Sequence, residues 1–537
     1  MTVSAAPPSD ATTPSDQRII LGNTGQNVLG LAIGAVATIG ANVLMARRLG
    51  QQPFGVVTAT TQFAFIAAAA TRFGMDVANV RLVAILVGRG QSARARGLVR
   101  RSVAITAAVS LPIGAAVLLL AGPLARSFSP APDVAEPAFR AAGLTIPLAA
   151  LAFTYMGATR GLKIMRYTLY SQWIAQPIGW IVLTIVLWIG LSQTAGVASL
   201  AFTLSWGAAT LIAWWGWQKE QGRLTNADIG KEAGAAGIAQ EHTGALLRFG
   251  MLRAPATLFS QLIFWSDFFV LGVLMRSRGG AGAAQVGVYA GVLRAGQALF
   301  LFLTSVSLTF SPFVADLHHR GEKEQLDILY KQVTRWTLAA TVPVLLVLAV
   351  LPGPVLHLFD GAGPEGEAAL RILIVGMIVP VMVGTVGFIL IMGGRTGWDL
   401  LIYVGSFAID LGIAFALARP DSLGVRGAAI AQAATLTFSA VARLLLVRRF
   451  LRIWPFDRHY LRLIAPTAIG TAAMWACALA LPDEGWLVEL AVAGAVGTAA
   501  YALAVLGMGL RPHERATAVR MVAKALGRRP ASATPVP

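Results

Sequence analysis

Residues Gly143 to Thr154 read GLTIPLAALAFT, and residues Val342 to Leu351 read VPVLLVLAVL. Neither run alternates apolar with polar positions, so neither has the pattern of a barrel strand with one face in lipid and one in water. Each belongs to an apolar segment long enough for a helix to cross a bilayer. About fourteen such segments follow one another, at 19–45, 54–73, 102–122, 141–160, 169–190, 196–216, 250–275, 286–311, 336–352, 369–392, 399–418, 425–447, 463–481 and 486–509. Inside hydrocarbon the backbone must satisfy its own hydrogen bonds, which leaves helices. The expected fold class is an all-α polytopic membrane protein.

The composition fits a chain solvated by lipid. Of 537 residues, 56% are hydrophobic and 13% charged, about half the charged fraction of soluble domains. A net charge of +18 in a soluble protein would suggest nucleic acid. Here no basic stretch is interleaved with aromatics for base stacking, so no nucleic-acid partner is expected, and the charge reads as loop arginine meeting membrane lipids. Numbered from a cytoplasmic N-terminus, the connections divide the basic residues unequally. Roughly three-quarters of the 43 lysines and arginines fall on the cytoplasmic side, including Arg89 to Arg101, Lys219, Arg223, Arg448 and Arg449. Both termini are therefore expected in the cytoplasm and the protein in the inner membrane. Met1 to Gln17 shows no signal-peptide pattern, and Cys477 is the only cysteine, which excludes an intrachain disulfide.

The chain also repeats itself. Phe54-Gly55-Val56-Val57 opens the second span and Val286-Gly287-Val288-Tyr289 the eighth. Pro147 with Gly157-Ala158-Thr159-Arg160-Gly161 in the fourth corresponds to Pro380 with Met392-Gly393-Gly394-Arg395-Thr396 in the tenth. Gly196-Val197 before the sixth corresponds to Gly424-Val425 before the twelfth. The offsets are all about 230 residues, which implies two parallel six-helix repeats. The expected organisation is a disordered tail at 1–17, a six-helix bundle at 18–217, a cytoplasmic linker at 218–245 and a second bundle at 246–450. Two extra helices follow at 451–510, then a basic tail at 511–537.

These landmarks carry a resemblance over about residues 18–510. Arg48-Leu49-Gly50-Gln51-Gln52-Pro53-Phe54-Gly55, Gly74-Met75-Asp76 with Arg81-Leu82-Val83-Ala84, Ser311-Pro312-Phe313-Val314-Ala315 and Gly424-Val425-Arg426-Gly427-Ala428-Ala429-Ile430-Ala431 make the chain resemble the polysaccharide flippases. That family belongs to the multidrug, oligosaccharidyl-lipid and polysaccharide exporter superfamily, which also holds multidrug and toxin extruders and lipid II flippases. The resemblance implies MATE-like V-shaped bundles and alternating access. It implies transfer of a polyprenyl-pyrophosphate-linked oligosaccharide from the inner to the outer leaflet for cell-surface polysaccharide assembly. The partners it implies are that lipid-linked substrate, a proton or sodium gradient, and the polymerase and glycosyltransferases of the same assembly. Many members carry an asparagine-rich eleventh span, where this chain has Asp410.

A sugar–pyrophosphate head cannot shed its water in hydrocarbon without a polar cavity, so intramembrane charge marks the candidate site. Arg294 lies roughly 12 Å into the eighth span, and Asp267 lies at similar depth in the seventh. The two either meet as a structural ion pair or form a cavity wall with Gln297, Thr304 and Ser305, where Arg294 binds pyrophosphate. Arg72 and Asp76 stand four apart and read as an interfacial pair, with Arg72 also a substrate-binding candidate and Asp76 an ion-coupling one. Asp410 is either a protonated packing residue or, like Asp267, an ion-coupling carboxylate. Gln26, on a stripe with Asn23, Gly30, Gly34 and Thr38, and Gln176, near Tyr167, Tyr170 and Gln172, complete the substrate-binding candidates. Trp214, Trp215 and Trp217 read as an interfacial belt.

No phosphate-binding loop or HExxH zinc motif is present, so no cofactor, no metal and no enzymatic activity are expected. The alternatives are a cation-coupled multidrug extruder of the same fold, a lipid II flippase proper, and a membrane glycosyltransferase or ligase using a lipid-linked donor. The last would need acids in an outer loop, where only Asp133, Glu136, Asp360, Glu365 and Glu367 stand.

Overall fold

The computed structural model describes residues 14–225, 244, 246, 254–319, 322–361, 363–392, 396–481 and 485–509, with side chains omitted at 14–29, 31, 32, 223–225, 300–319, 388, 391, 392, 396 and 509. Most of the tail at 1–17, most of the linker at 218–245 and the tail at 511–537 fall outside these residues.

The helices run in order as α1 Pro14–Leu49, α2 Gln51–Thr71, α3 Met75–Gly88, α4 Ser92–Leu119, α5 Ala121–Phe128 and α6 Pro132–Gly161. Next come α7 Arg166–Gly190, which contains a π segment at Leu169–Ala175, then α8 Ala195–Thr225 and α9 Ala254–Leu262. These are followed by α10 Ser266–Leu274, α11 Gly279–His319, α12 Lys323–Val350, α13 Pro352–His357, α14 Pro364–Val383 and α15 Val386–Met392. The chain continues with α16 Thr396–Leu417, α17 Val425–Leu451, α18 Ile464–Leu479 and α19 Trp486–Ala504.

Where they are described, the expected apolar segments are mostly helical, with non-helical residues inside them that include 72–73, 263–265 and 384–385. By length and hydropathy, 11 helices among the described residues can cross a membrane, or up to 12 if a bent pair counts as one span. The bent pair is α9 with the helical stretch from Ser266, turned by 54° at a short break. The seventh span is thus broken where an unbroken helix was expected. The tenth is also broken, between α14 and α15, where Gly384 has φ 64°. A side chain at Gly384 would be strained by that φ and would also crowd the Thr334 methyl at 2.8 Å.

By contacts the chain forms two compact units, Met1–Arg294 with Gly397–Thr435, and Ala295–Thr396 with Leu436–Pro537. In the first, α6 is the axis. Lipid gives no hydrophobic drive between helices, so close approach and hydrogen bonding must hold them. Gly114 on α4 and Gly143 on α6 pass backbone to backbone, and a Cβ at Gly143 would sit 2.7 Å from the Gly114 carbonyl. Gly157 and Gly161 let α3 lie on α6, where the Asn79 amide donates to the Thr154 carbonyl at 3.1 Å. Hydroxyls bolt α6 to α8, with Thr145 to Thr203 at 2.7 Å, and α4 to α6, with Thr106 to Thr154 at 3.1 Å. Within the small-residue stripe of α1, Gly34 packs against Trp173 in the π segment of α7.

In the second unit α12 is the axis. The Tyr330 hydroxyl donates to the Val383 carbonyl at 2.9 Å, which satisfies an acceptor freed where α14 ends. The Tyr501 hydroxyl donates to the Ala339 carbonyl at 2.8 Å and ties α19 to α12. Leu346, Met474, Ala493 and Tyr501 share one apolar core there.

Candidate functional site

The break before α10 builds the main site. The turn at Ile263 to Trp265 ends one helix and starts another, so Ser266 and Asp267 occupy a first turn deep in apolar surroundings. Both Asp267 and Asp410 are fully buried. The Ser266 hydroxyl donates to Asp410 Oδ2 at 2.5 Å. The Thr435 hydroxyl of α17 donates to Asp410 Oδ1 at 3.2 Å. The Tyr289 hydroxyl of α11 donates to Asp267 Oδ2. Asp267 Oδ1 and Gln432 Oε1, the latter one turn before Thr435, are buried with no hydrogen-bond partner among the described residues. Four helices therefore bring two carboxylates and three hydroxyls together. All donors are oxygen, and among the described residues no group of three or more His, Cys, Asp or Glu could hold a metal ion. Such a set suits a proton or a hard monovalent cation rather than a thiophilic metal.

Asp267 and Arg294 do not face each other. Asp267 takes Tyr289, while the Arg294 guanidinium lies 5.0 Å over the Trp265 ring. Arg294 is 8% exposed and stays beside the same turn. Gln297 follows on α11, half-buried.

A second polar cluster sits where α2 meets α3. Arg72, Phe73 and Gly74 make a tight turn, with Phe73 at φ 49° and Gly74 at φ 69°. Arg72 Nε lies 3.4 Å from Asp76 Oδ2. The pair thus forms as the spacing suggested, but across a turn between two helices. The Arg72 guanidinium also covers the Phe153 ring at 4.5 Å. Arg160 of α6 is a third member, since the charges of Asp76 and Arg72 act on it. Arg72 is 7% exposed, and its Nη1 has no hydrogen-bond partner among the described residues.

Gln176 is buried in the first unit and donates to the Ser205 hydroxyl at 3.5 Å. The side chains of Gln26, Thr304 and Ser305 lie outside those described. Of the tryptophan trio, Trp214 and Trp215 are exposed as a belt requires, but Trp217 is 3% exposed and packs with Met75 and Leu98. Ser266, Tyr289, Thr435, Gln432 and Arg160 were missed as site residues. Tyr289 stood in a repeat landmark, and that was the one signal available for it.

A third cluster joins α12 to the connection before α18. Asp457 Oδ2 lies 3.6 Å from Arg335 and 3.0 Å from His459 Nδ1. Burial pushes the Asp457 carboxyl up, but the His459 hydrogen bonds and charge, with the Arg335 charge, outweigh it and hold it below its ordinary value.

Residues 37–186 match the MatE family model. No curated protein matches the chain at a significant level. Among solved structures, it is similar to an inward-facing multidrug resistance MATE family transporter of the MOP superfamily, with TM-score 0.64, 18% identity, 79% of this chain and 98% of that one covered. It is similar to lipid II flippase MurJ in an inward closed conformation, with TM-score 0.65, 11% identity, and 95% and 100% covered. A Vibrio cholerae MATE transporter aligns with TM-score 0.59 and 14% identity, over 83% and 100%. The chain therefore has the transporter fold shared by these MOP-superfamily proteins.

Proposed function

We propose that this chain is an alternating-access flippase that moves a polyprenyl-pyrophosphate-linked oligosaccharide from the inner to the outer leaflet of the cell membrane. The observation that carries the reading is buried, underused guanidinium. Arg72 is almost fully buried, its Nη1 has no hydrogen-bond partner among the described residues, and half-buried Arg160 adds a second positive charge near Asp76. A largely buried, net positive cluster calls for an anion, and guanidinium forks match diphosphate oxygens. Arg294, stacked on Trp265, is a further buried candidate cation, and Gln26 and Gln176 are hydrogen-bonding candidates for sugar. The likeness to lipid II flippase MurJ runs over 95% of the chain against 79% for the multidrug transporter, which supports this reading. The polymerase and glycosyltransferases of glycan assembly are the proposed partners.

Asp267 and Asp410 form the proposed coupling site. Two buried carboxylates, each accepting from hydroxyls, suit a proton or sodium ion, and binding or release of that ion biases one state over the other. Asp76, tied to Arg72, takes the lesser role of tuning the anion cluster.

A second reading, a cation-coupled multidrug extruder, draws support from the MatE match and from the same carboxylates, which suit a cationic cargo. Binding separates the two. The purified chain is titrated with a short-chain polyprenyl-pyrophosphate oligosaccharide and with a rhodamine-type organic cation. The flippase reading expects the first to bind, and to lose at least tenfold in affinity with Arg72→Gln. Tight binding of the organic cation alone, unchanged by Arg72→Gln, overturns it.

A further inference from the structure

We propose that the α3–α4 hairpin is a docking surface for anionic phospholipid headgroups of the inner leaflet. The side of the membrane follows from the arginine count; the proposal is otherwise independent of what cargo is moved.

Between Val77 and Pro132 the sequence contains no aspartate or glutamate, yet it carries Arg81, Arg89, Arg94, Arg96, Arg100, Arg101 and Arg126. Arg81 stands farther back on α3 and Arg100 and Arg101 farther along α4, while Arg89, Arg94 and Arg96 stand at one tip. There α3 ends at Gly88, the chain turns through Gly90 at φ 71°, and α4 begins at Ser92. Arg81, Arg89 and Arg100 are exposed, and Arg94, Arg96 and Arg101 are half-buried. The array is rigidly mounted, because Leu86 of α3 and Ala95, Leu98 and Val99 of α4 share a core with Met75 and Trp217. Arg81, Arg96 and Arg101 also keep partners within the chain.

Depth decides the partner. Helix α4 has 28 residues and so spans about 42 Å, against about 30 Å of hydrocarbon. Its far part faces lipid, with Leu111 55% and Leu119 81% exposed. Seating that apolar part in the bilayer leaves roughly the first two turns, about 12 Å, in the headgroup layer. Those turns hold Arg94 and Arg96, with Arg100 and Arg101 at the boundary. The guanidinium groups are spread around a helical tip at headgroup level and do not converge on one pocket. A layer of lipid phosphates fits such a fence, and a single soluble anion does not.

The test uses the full-length protein in detergent. It is titrated with phosphatidylglycerol or phosphatidylcholine, with bound lipid read by native mass spectrometry and stabilisation by thermal unfolding. The native chain is expected to prefer phosphatidylglycerol. The variant Arg94→Gln/Arg96→Gln/Arg100→Gln/Arg101→Gln should lose at least tenfold of that preference, and the control Arg448→Gln/Arg449→Gln/Arg452→Gln should keep it. If the fourfold variant does not fold, Arg89→Gln and Arg100→Gln, both at exposed positions, should each cost about fivefold. Native preference in the hairpin variants overturns the proposal, as does equal loss in the control. Displacement of the lipid by inorganic pyrophosphate also overturns it, since that result marks a soluble-anion site. Because the readout is lipid binding, failure here leaves the cargo reading standing, and failure of the cargo reading leaves this one standing.

Discussion

Asp410→Asn is the substitution that isolates charge at the carboxylate pair. Asparagine has nearly the same shape, and its Oδ1 still accepts the Thr435 hydroxyl, which lies 3.2 Å from the native carboxylate. Ser266, 2.5 Å from the other oxygen, can reverse its role and accept from the new amide. The packing is thus kept and one negative charge is lost. A cation held about 4 Å from that charge at an effective dielectric of about 20 loses roughly 4 kcal/mol. At about 1.4 kcal/mol per decade this is two to three decades of cation affinity. Thermal unfolding of the purified protein, titrated with sodium at fixed pH and across pH at fixed sodium, should show the native dependence on one ion flattened in the variant. The unfolding midpoint without that ion should stay close to native. If Asp410→Asn keeps the native ion dependence, the pair is a packing feature and the coupling role fails.

Tyr289→Phe removes the hydroxyl that Asp267 accepts; leaving that buried carboxylate short of a donor should cost about 1–3 kcal/mol, read as a lower unfolding midpoint with oligomeric state unchanged. Gly157→Val should destabilise by about 1–3 kcal/mol or more, because even a Cβ there would stand 2.8 Å from the Asp76 Cα. Gly97→Ala, with nothing within 4 Å, should be neutral or slightly stabilising, which separates a close helix contact from a general intolerance of side chains. Asp457 is more acidic folded than unfolded, so its contribution is present above the ordinary carboxylate value of about 3.9 and is lost as pH falls through the lower folded value. Asp457→Asn should remove that acid limb from the stability profile, while a limb of native size in the variant would assign it elsewhere.

The helices were legible because hydropathy over a span length is a strong signal and lipid permits few other structures. Their breaks were harder to read. Ile263-Phe264-Trp265 contains neither glycine nor proline, so nothing local announces the bend that places Asp267. Gly384 does follow Pro380, but such pairs also occur in unbroken membrane helices. Arg72 and Asp76 were legible as a pair because a spacing of four survives the intervening turn. Asp267 and Arg294 illustrate the opposite case. Tyr289, which faces Asp267, precedes Arg294 by five residues, about 140° around a helix, so one face cannot present both to the same partner. The partners of Asp410 come from α10 and α17, and only tertiary packing assembles them.

The most direct test is translocation. The native chain and Arg294→Ala are reconstituted at equal density into liposomes carrying a labelled polyprenyl-pyrophosphate oligosaccharide, and exposure of the label in the opposite leaflet is followed over time. Translocation by the native chain and its loss, tenfold or more, in Arg294→Ala are expected. Liposomes in which the native chain moves no such lipid, yet drives organic cations against a proton or sodium gradient, would contradict it.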